Sequence, residues 1–509
     1  MLRIILFLLF SCIAEVGLAQ SLVTYASLKD NSDLGSDLYL VYVIQNGIRK
    51  SSFVYKSVAG TGTTREWGRQ QNNSFHFTTF SFSGVVTVEV VKLKSKALSA
   101  TIRPNRLGIG KVKANYLNMQ SKVRFKLVKA AKVSIEFSDD PDHKNALVIF
   151  ADTLENKEDI PVLQKDIFYP TSFSDLLTMP KTASVVYFKP GIYDIGYWDI
   201  PTSVKQVYVA GGAYVKGYLH RSSATIKING RGILSNYGYN FHYPLTAASG
   251  ENYKSWYKTI EIEGGTNHVI EGITLVDGTS YNIVAGGKNI LIKNVKIHGF
   301  RFNNDGISIN GVNNTISDTF IRSNDDAITT SVGSNLKIFN CSFWQLQGST
   351  IQLGWTAASK SSINISNCDI MHDEAISSDG NVGFINAMNY TSPTRGAIIS
   401  DVKVSDIYFD TPILRFLDIR GDRSFRLADY ASSKGEAAWT YQNFYFNNIF
   451  FNGKKGVAPL IYLHGFNEKV PLSNFIFKNL FMNNIKVPRN TIMDKKFLNF
   501  KNVDGIQIK

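Results

Sequence analysis

Three aspartates stand where they could do acid–base work. Asp305 lies in "RFNNDGISI", and Asp325 and Asp326 lie in "RSNDDAITT". Each group sits in an asparagine-flanked turn that runs straight into an apolar, strand-like stretch. Surface turns favour Asn and Asp for their own conformational reasons, so one such turn says little. A lone Asp followed, one structural repeat later, by an Asp-Asp pair says more. Clustered carboxylates repel, and a fold does not need them. They suit chemistry in which one group donates a proton while another accepts one. Inverting glycoside hydrolysis is such a chemistry: an acid protonates the departing glycosidic oxygen and a second carboxylate, about 6.5–9.5 Å away, activates a water on the other face of the sugar.

The elements that must position these groups come from a repeat. An apolar residue, any residue, then Asn, Asp or Gly recurs as Ile270-Glu-Gly272, Ile292-Lys-Asn294, Ile316-Ser-Asp318, Ile338-Phe-Asn340 and Ile365-Ser-Asn367. It continues more weakly at Val404, Phe446 and Phe477. The first four steps are 22, 24, 22 and 27 residues, and the later ones 39, 42 and 31. This period with strand texture predicts the coils of a right-handed parallel β-helix, whose coils stack because none can bury its apolar face alone. Longer steps are loops inserted at turns. Asp305 is 13 residues after Ile292, and Asp325 and Asp326 are 9 and 10 after Ile316, so consecutive coils carry all three carboxylates on one strip. Cys341 and Cys368 each follow their repeat isoleucine by three residues, which makes them neighbours on adjacent coils. Two buried thiols are favoured over a bond between them.

Upstream, "DLYLVYVIQ", "SFVYKSV", "FHFTTFSF", "VVTVEVVKL" and "KVRFKLV" are short runs, several of them alternating, which predict an antiparallel β-sandwich. The fold class is therefore all-β: an N-terminal sandwich over 20–160, then the β-helix over 161–509. Residues 1–19 read as a secretory signal: Arg3, the apolar run "IILFLLF", and small residues Gly17 and Ala19 before a cut. About eight or nine strongly apolar residues are too few to span a bilayer, and no other segment reads as a membrane span. Cys12 in "LFSC" offers a lipid-anchored alternative that ranks second. The expected location is thus secreted, periplasmic or extracellular.

The chain has 509 residues and a formal charge of +14. Its basic residues are scattered, with no Arg/Lys run interleaved with aromatics, which argues against nucleic acid as a partner. The expected partner is a polysaccharide, the expected state a monomer, and no cofactor or metal is called for. His372-Asp373-Glu374 is a run of possible ligands, but three consecutive residues seldom converge on one ion.

"NNDG", then "SNDDAI", then "GSTIQLGW" resembles glycoside hydrolase family 49, the dextranases and isopullulanases. The resemblance implies a sandwich joined to a pectate-lyase-like solenoid and an endo-acting, metal-free hydrolase of an α-glucan such as dextran or pullulan. It implies that Asp325 is the general acid and that Asp305 and Asp326 position and activate the water. Trp355 offers an aromatic platform for a sugar ring. Gln352, Asn304, Asn324, His372 and Arg420 are further candidate substrate contacts. Arg415, Asp418, Arg420 and Asp422 in "RFLDIRGD" could reach the cleft or pair with one another. Tyrosines, His242 and Trp256 in the segment 235–258 could form a cleft wall. The polygalacturonases of family 28 share the lone-Asp, Asp-pair layout, but "QGST" stands roughly where their histidine would be, so they rank second. A polysaccharide lyase and a non-catalytic carbohydrate-binding solenoid are the readings from other classes.

Overall fold

A computed structural model describes residues 21–25, 28, 32–57, 74–161, 166–239, 258–301, 303–355, 358–375, 380–389, 396–424, 439–454 and 460–509. The expected signal segment with Cys12, and His242 and Trp256 of the expected cleft wall, lie outside the described residues.

Two sheets build the N-terminal region. A five-stranded sheet is centred on Tyr39–Gln45, Val86–Lys92 and Gln120–Leu127, and a seven-stranded sheet on Ser74–Phe82, Asn145–Thr153 and Ala131–Phe137. In Tyr39–Gln45 every second residue is buried. Its Val41 and Val43 meet Phe80, Ile102, Val133 and Ile149 of the other sheet in one apolar core. The sandwich is not wholly antiparallel, as its sequence suggested. Asn145–Thr153 runs parallel to Ser74–Phe82; the chain between them visits the other sheet twice and so is free to return in either direction.

Among the described residues, the strands from Ile167 to Ile508 form one continuous 30-stranded ladder that coils on itself, parallel except for one antiparallel strand pair near its C-terminal end. The repeat residues stack in unbroken register: Ile270 on Ile292, Ile316, Ile338, Ile365, Val404, Phe446 and Phe477. The column extends upstream through Val207 and Ile228, where no regular Asn or Asp marks it. The Asn/Asp/Gly that follows by two residues is in the left-handed conformation in every coil, from Gly272 at φ +82° and Asn294 at +52° to Asn479 at +55°. That conformation costs a β-branched or bulky residue most and Gly, Asn and Asp least, which is why the repeat ends in them. Side-chain amides then bridge the turns, as from Asn340 to Asp318 (3.3 Å) and from Asn448 to Asp406 (2.9 Å). Cys341 and Cys368 are buried, unbonded thiols on adjacent coils, with the Asp369 N–H on the Cys341 carbonyl at 2.9 Å.

A second set of turns stacks glycines: Gly287, Gly311 and Gly333 at φ +143°, +110° and +151°. A Cβ on Gly311 would come 1.9 Å from the Gly287 carbonyl oxygen. Gly311→Ala combines a disfavoured dihedral with a backbone clash, so it should lower the unfolding free energy by at least about 2 kcal/mol. Chemical denaturation checks this, and a loss of under half that would mean the coils part easily.

The seven-stranded sheet has a second buried face. Tyr55, Phe75, Phe77 and Phe150 pack on Ile233, Val276, Phe320 and Trp344 of the solenoid. Both faces of Ser74–Phe82 are covered, and eight of its nine residues are buried. This accounts for the unbroken apolar and aromatic text of that strand.

Candidate active site

The solenoid carries one sheet in which Ile283, Ile307, Ile328, Ile351, Ile385, Leu417 and Ile461 point into the core. Ile307 pairs with Ile328, so two residues earlier Asp305 falls level with Asp326. The backbone confirms this: the Gly306 N–H donates to the Asp326 carbonyl at 2.9 Å, and the Asn282 N–H to the Asp305 carbonyl at 3.0 Å. Neighbouring strands lie about 4.8 Å apart, which sets the offset between these two turns. Asp325 is one residue along on the same turn as Asp326, level with Asn304. The expected juxtaposition of the three carboxylates is present.

Their surroundings differ. Asp326 is 1% exposed and fully engaged. Its Oδ1 accepts from the Ser349 N–H (2.8 Å), Ser349 Oγ (2.6 Å) and Asn381 Nδ2 (2.7 Å), and its Oδ2 accepts from the Trp355 indole N–H (2.7 Å). Asp325 is half-buried, and among the described residues its Oδ1 accepts from the N–H of Asp326 alone (3.0 Å). Asp305 is 2% exposed, and its Oδ1 has no hydrogen-bond partner among the described residues. Burial pushes all three carboxyls above their usual range. The neighbouring aspartates raise Asp305 and Asp325 further, whereas Ser349, Trp355 and Asn381 pull Asp326 back by hydrogen-bonding its charged form. Asp326 is thus the group best equipped to hold a negative charge, and Asp325 is the accessible one best equipped to keep a proton.

The turn that presents Asp325 is itself anchored. Gln345 Nε2 donates to the Asp325 carbonyl at 2.7 Å, and so does Ser323 Oγ at 2.9 Å. Gly348, at φ +75°, lies so close that a Cβ would stand 2.9 Å from Asp325 Oδ1.

The other sequence candidates divide. Trp355 is half-buried beside the carboxylates and tied to Asp326. Gln352 is 1% exposed, and its amide is spent on Asn381 (2.8 Å), Asn386 (3.1 Å) and the Gly354 N–H (2.6 Å). It therefore supports Asn381 and does not offer an open contact to a sugar. Asn324 is 4% exposed, with its Oδ1 lacking a partner among the described residues. Asn304 is fully buried and donates to the Ser280 carbonyl; it braces the turn ahead of Asp305. His372 is corrected more sharply. It lies on a different sheet, facing the sandwich, with Nε2 2.7 Å from Glu136 Oε1. Arg420 lies on the aspartates' sheet, but pairs with Asp418 through two hydrogen bonds, 2.5 and 2.9 Å. Arg415 reaches the same Asp418 at 3.4 Å, and Asp422 faces His464 at 3.5 Å. The "RFLDIRGD" charges therefore pair among themselves and with a histidine.

Two residues escaped the sequence reading. Ser349 stands in the "QGST" stretch, whose alignment with the aspartates was visible although its role was not. Asn381 sits in a lengthened coil with no repeat signal of its own. A cavity of about 300 Å³ lined by Lys132, Glu155, Arg231 and Asp318 lies at the seam between sandwich and solenoid and holds none of the three aspartates.

Residues 258–406 match the family described as "Right handed beta helix region". A dextranase of Arthrobacter globiformis is 26% identical over 261 residues, 45% of this chain and 40% of the dextranase. An isopullulanase of Aspergillus niger is 26% identical over 404 residues, 72% of this chain and 70% of the isopullulanase. The match thus spans about two fifths of that dextranase and a larger share of the isopullulanase. Among solved structures, Dex49A from Penicillium minioluteum superposes with a TM-score of 0.72 at 20% identity, covering 96% of each chain. An exopolygalacturonase from Thermotoga maritima reaches 0.51 at 12% identity, covering 68% of this chain and 93% of its own. Sandwich, solenoid and aligned sequence agree with the resemblance carried by "NNDG", "SNDDAI" and "GSTIQLGW": the chain is a relative of the dextranases and isopullulanase, and its resemblance to glycoside hydrolase family 49 holds.

Proposed function

We propose that the chain is an inverting, endo-acting glycoside hydrolase of an α-glucan such as dextran or pullulan. The observation that carries this is the level stacking of Asp305 and Asp326 on adjacent coils, with Asp325 one residue to the side. Its similarity to a dextranase and an isopullulanase supports the substrate class.

In this reading Asp325, raised and reachable, protonates the departing glycosidic oxygen. Asp305 and Asp326 share about one negative charge, as closely placed carboxyls do, and together hold the water and take its proton. Ser349, Asn381 and Trp355 keep the charge on Asp326. Trp355 can also present its ring to a glucose unit. A water fits between acid and base only if they are well separated, which favours single displacement.

The supporting proposals are a secretory role for residues 1–19, a sandwich domain over 20–160, a catalytic solenoid over 161–509, and a monomeric enzyme. No helix among the described residues is long and apolar enough to cross a membrane.

The test is a polysaccharide panel read by reducing ends, followed by proton NMR of early products. Dextran or pullulan should be cut, and the first products of an α-glucan should be β anomers. Cleavage of polygalacturonate alone would favour the pectin-type reading. An unsaturated, chelator-sensitive product would mean a lyase, and binding without cleavage a non-catalytic solenoid. First-formed α anomers would reject the water-activating roles, since a retaining pair would stand only about 5–5.5 Å apart.

A further inference from the structure

His372 joins a cluster that the reaction does not use. Its partner Glu136 lies on the sandwich strand Ala131–Phe137, and His143 lies in the turn that follows. One ligand atom from each of Glu136, His143 and His372 falls within 4.8 Å of the others. The side chains of Glu136 and His372 are only 7% and 6% exposed. The two imidazoles have ring centroids 4.7 Å apart, and Trp344 closes against both.

We propose that Glu136, His143 and His372 form a divalent transition-metal site, best suited to Zn²⁺, that clasps the sandwich to the solenoid. Two imidazole nitrogens and one carboxylate oxygen are a preferred zinc donor set, with a water completing the tetrahedron. Zinc bonds of about 2.0–2.2 Å place ligand atoms roughly 3.3–3.5 Å apart. The Glu136–His372 contact at 2.7 Å would open by under an ångström and His143 would close in.

The surroundings are already arranged for this. Arg103 Nε engages the other carboxylate oxygen of Glu136 at 3.0 Å, and Ser134 Oγ donates to Oε1 at 2.7 Å. Arg103 holds the far oxygen and Ser134 the near one, so the carboxylate is oriented as outer partners orient metal ligands. His143 sits at φ +53° in a turn whose N–H bonds Asp140 O at 3.1 Å, so a short turn aims its ring inward. The ligands come from two regions of the chain, so metal bound here would stabilise their union and not the sandwich alone.

The test uses the full chain, stripped with a chelator and titrated with zinc chloride by calorimetry. One equivalent should bind, and the melting temperature should rise by several degrees. Cobalt(II) should give the intense visible bands of a tetrahedral site. His143→Asn tolerates the left-handed turn, and His372→Gln keeps a donor to Glu136. Each should melt near wild type without metal yet bind zinc more than about 100-fold more weakly. No stoichiometric binding, or zinc binding equal to wild type in both variants, would overturn the site.

Discussion

Asp325→Asn is expected to slow polymer hydrolysis by about 10²–10⁴-fold, the contribution of a positioned general acid. Asparagine keeps the shape of the side chain but has no proton to give. The only side-chain hydrogen bond described at Asp325 is the one to the Asp326 N–H, and an amide oxygen can still accept it, so folding should be undisturbed. An aryl glycoside with a good leaving group needs less protonation, so its cleavage should fall far less. The pH profile provides a second readout. Ser349, Trp355 and Asn381 favour ionised Asp326, which should set the acidic limb. Burial and the charge of Asp326 raise Asp325, which should set the alkaline limb. In Asp325→Asn the alkaline limb should disappear from the residual activity while the acidic limb stays. Equal losses on both substrates with both limbs intact would remove Asp325 from the acid role.

Lys296→Met should lower the stability of the seam by about 3–5 kcal/mol. Lys296 and Asp152 are both fully buried, and Nζ donates to Asp152 Oδ2 at 2.7 Å and to the Gly272 carbonyl at 2.5 Å. Burial pulls the amine down to about 8. Burial works the other way on Asp152, but Lys296 and Arg231 outweigh it and keep the carboxylate below its usual range. Both groups are charged at neutral pH. Methionine matches the volume of lysine but strands a buried carboxylate whose Oδ1 has no hydrogen-bond partner among the described residues. Arg231 Nε, 3.6 Å from Oδ2, compensates only in part. Denaturant unfolding followed by tryptophan fluorescence measures the loss, since Trp344 reports from the seam. Adding Asp152→Leu should restore much of it, because removing both charges also removes their desolvation. A single-variant loss under about 1 kcal/mol would mean that water reaches the pair.

The solenoid was legible because its turns demand Asn, Asp or Gly every coil, and that demand survives in the text wherever coils are short. Where the later steps lengthen to 39 and 42 residues, the register still holds at Val404 and Phe446, yet nothing in the sequence indicates what the inserted residues do. Asn381, a donor to Asp326, lies in such a stretch. The aspartates were legible for the same reason: a one-coil offset converts sequence spacing into spatial adjacency. His372 was misplaced because the sequence shows that it sits on a strand but not which flank the sandwich covers. Asn304 and Gln352 were named as contacts because amides beside carboxylates suit sugars; burial spends them instead on a backbone carbonyl and on a second amide layer. The Phe-rich strand Ser74–Phe82 carried the missing information, since two buried faces require something to pack against the outer one.

That outer face acts as a splint. Its aromatic residues lie along the solenoid from Tyr214 past Phe320 and Trp344 to Met371, a span that includes the coils bearing Asp305 and Asp325. A stack of coils bends and stretches most easily by changing the pitch between neighbours, and here the pitch is also the spacing between Asp305 and the Asp325–Asp326 pair. A rigid plate fastened along one flank makes that spacing stiff. The N-terminal sheets thus set the tolerance to which the carboxylates are held, without contributing any of the three.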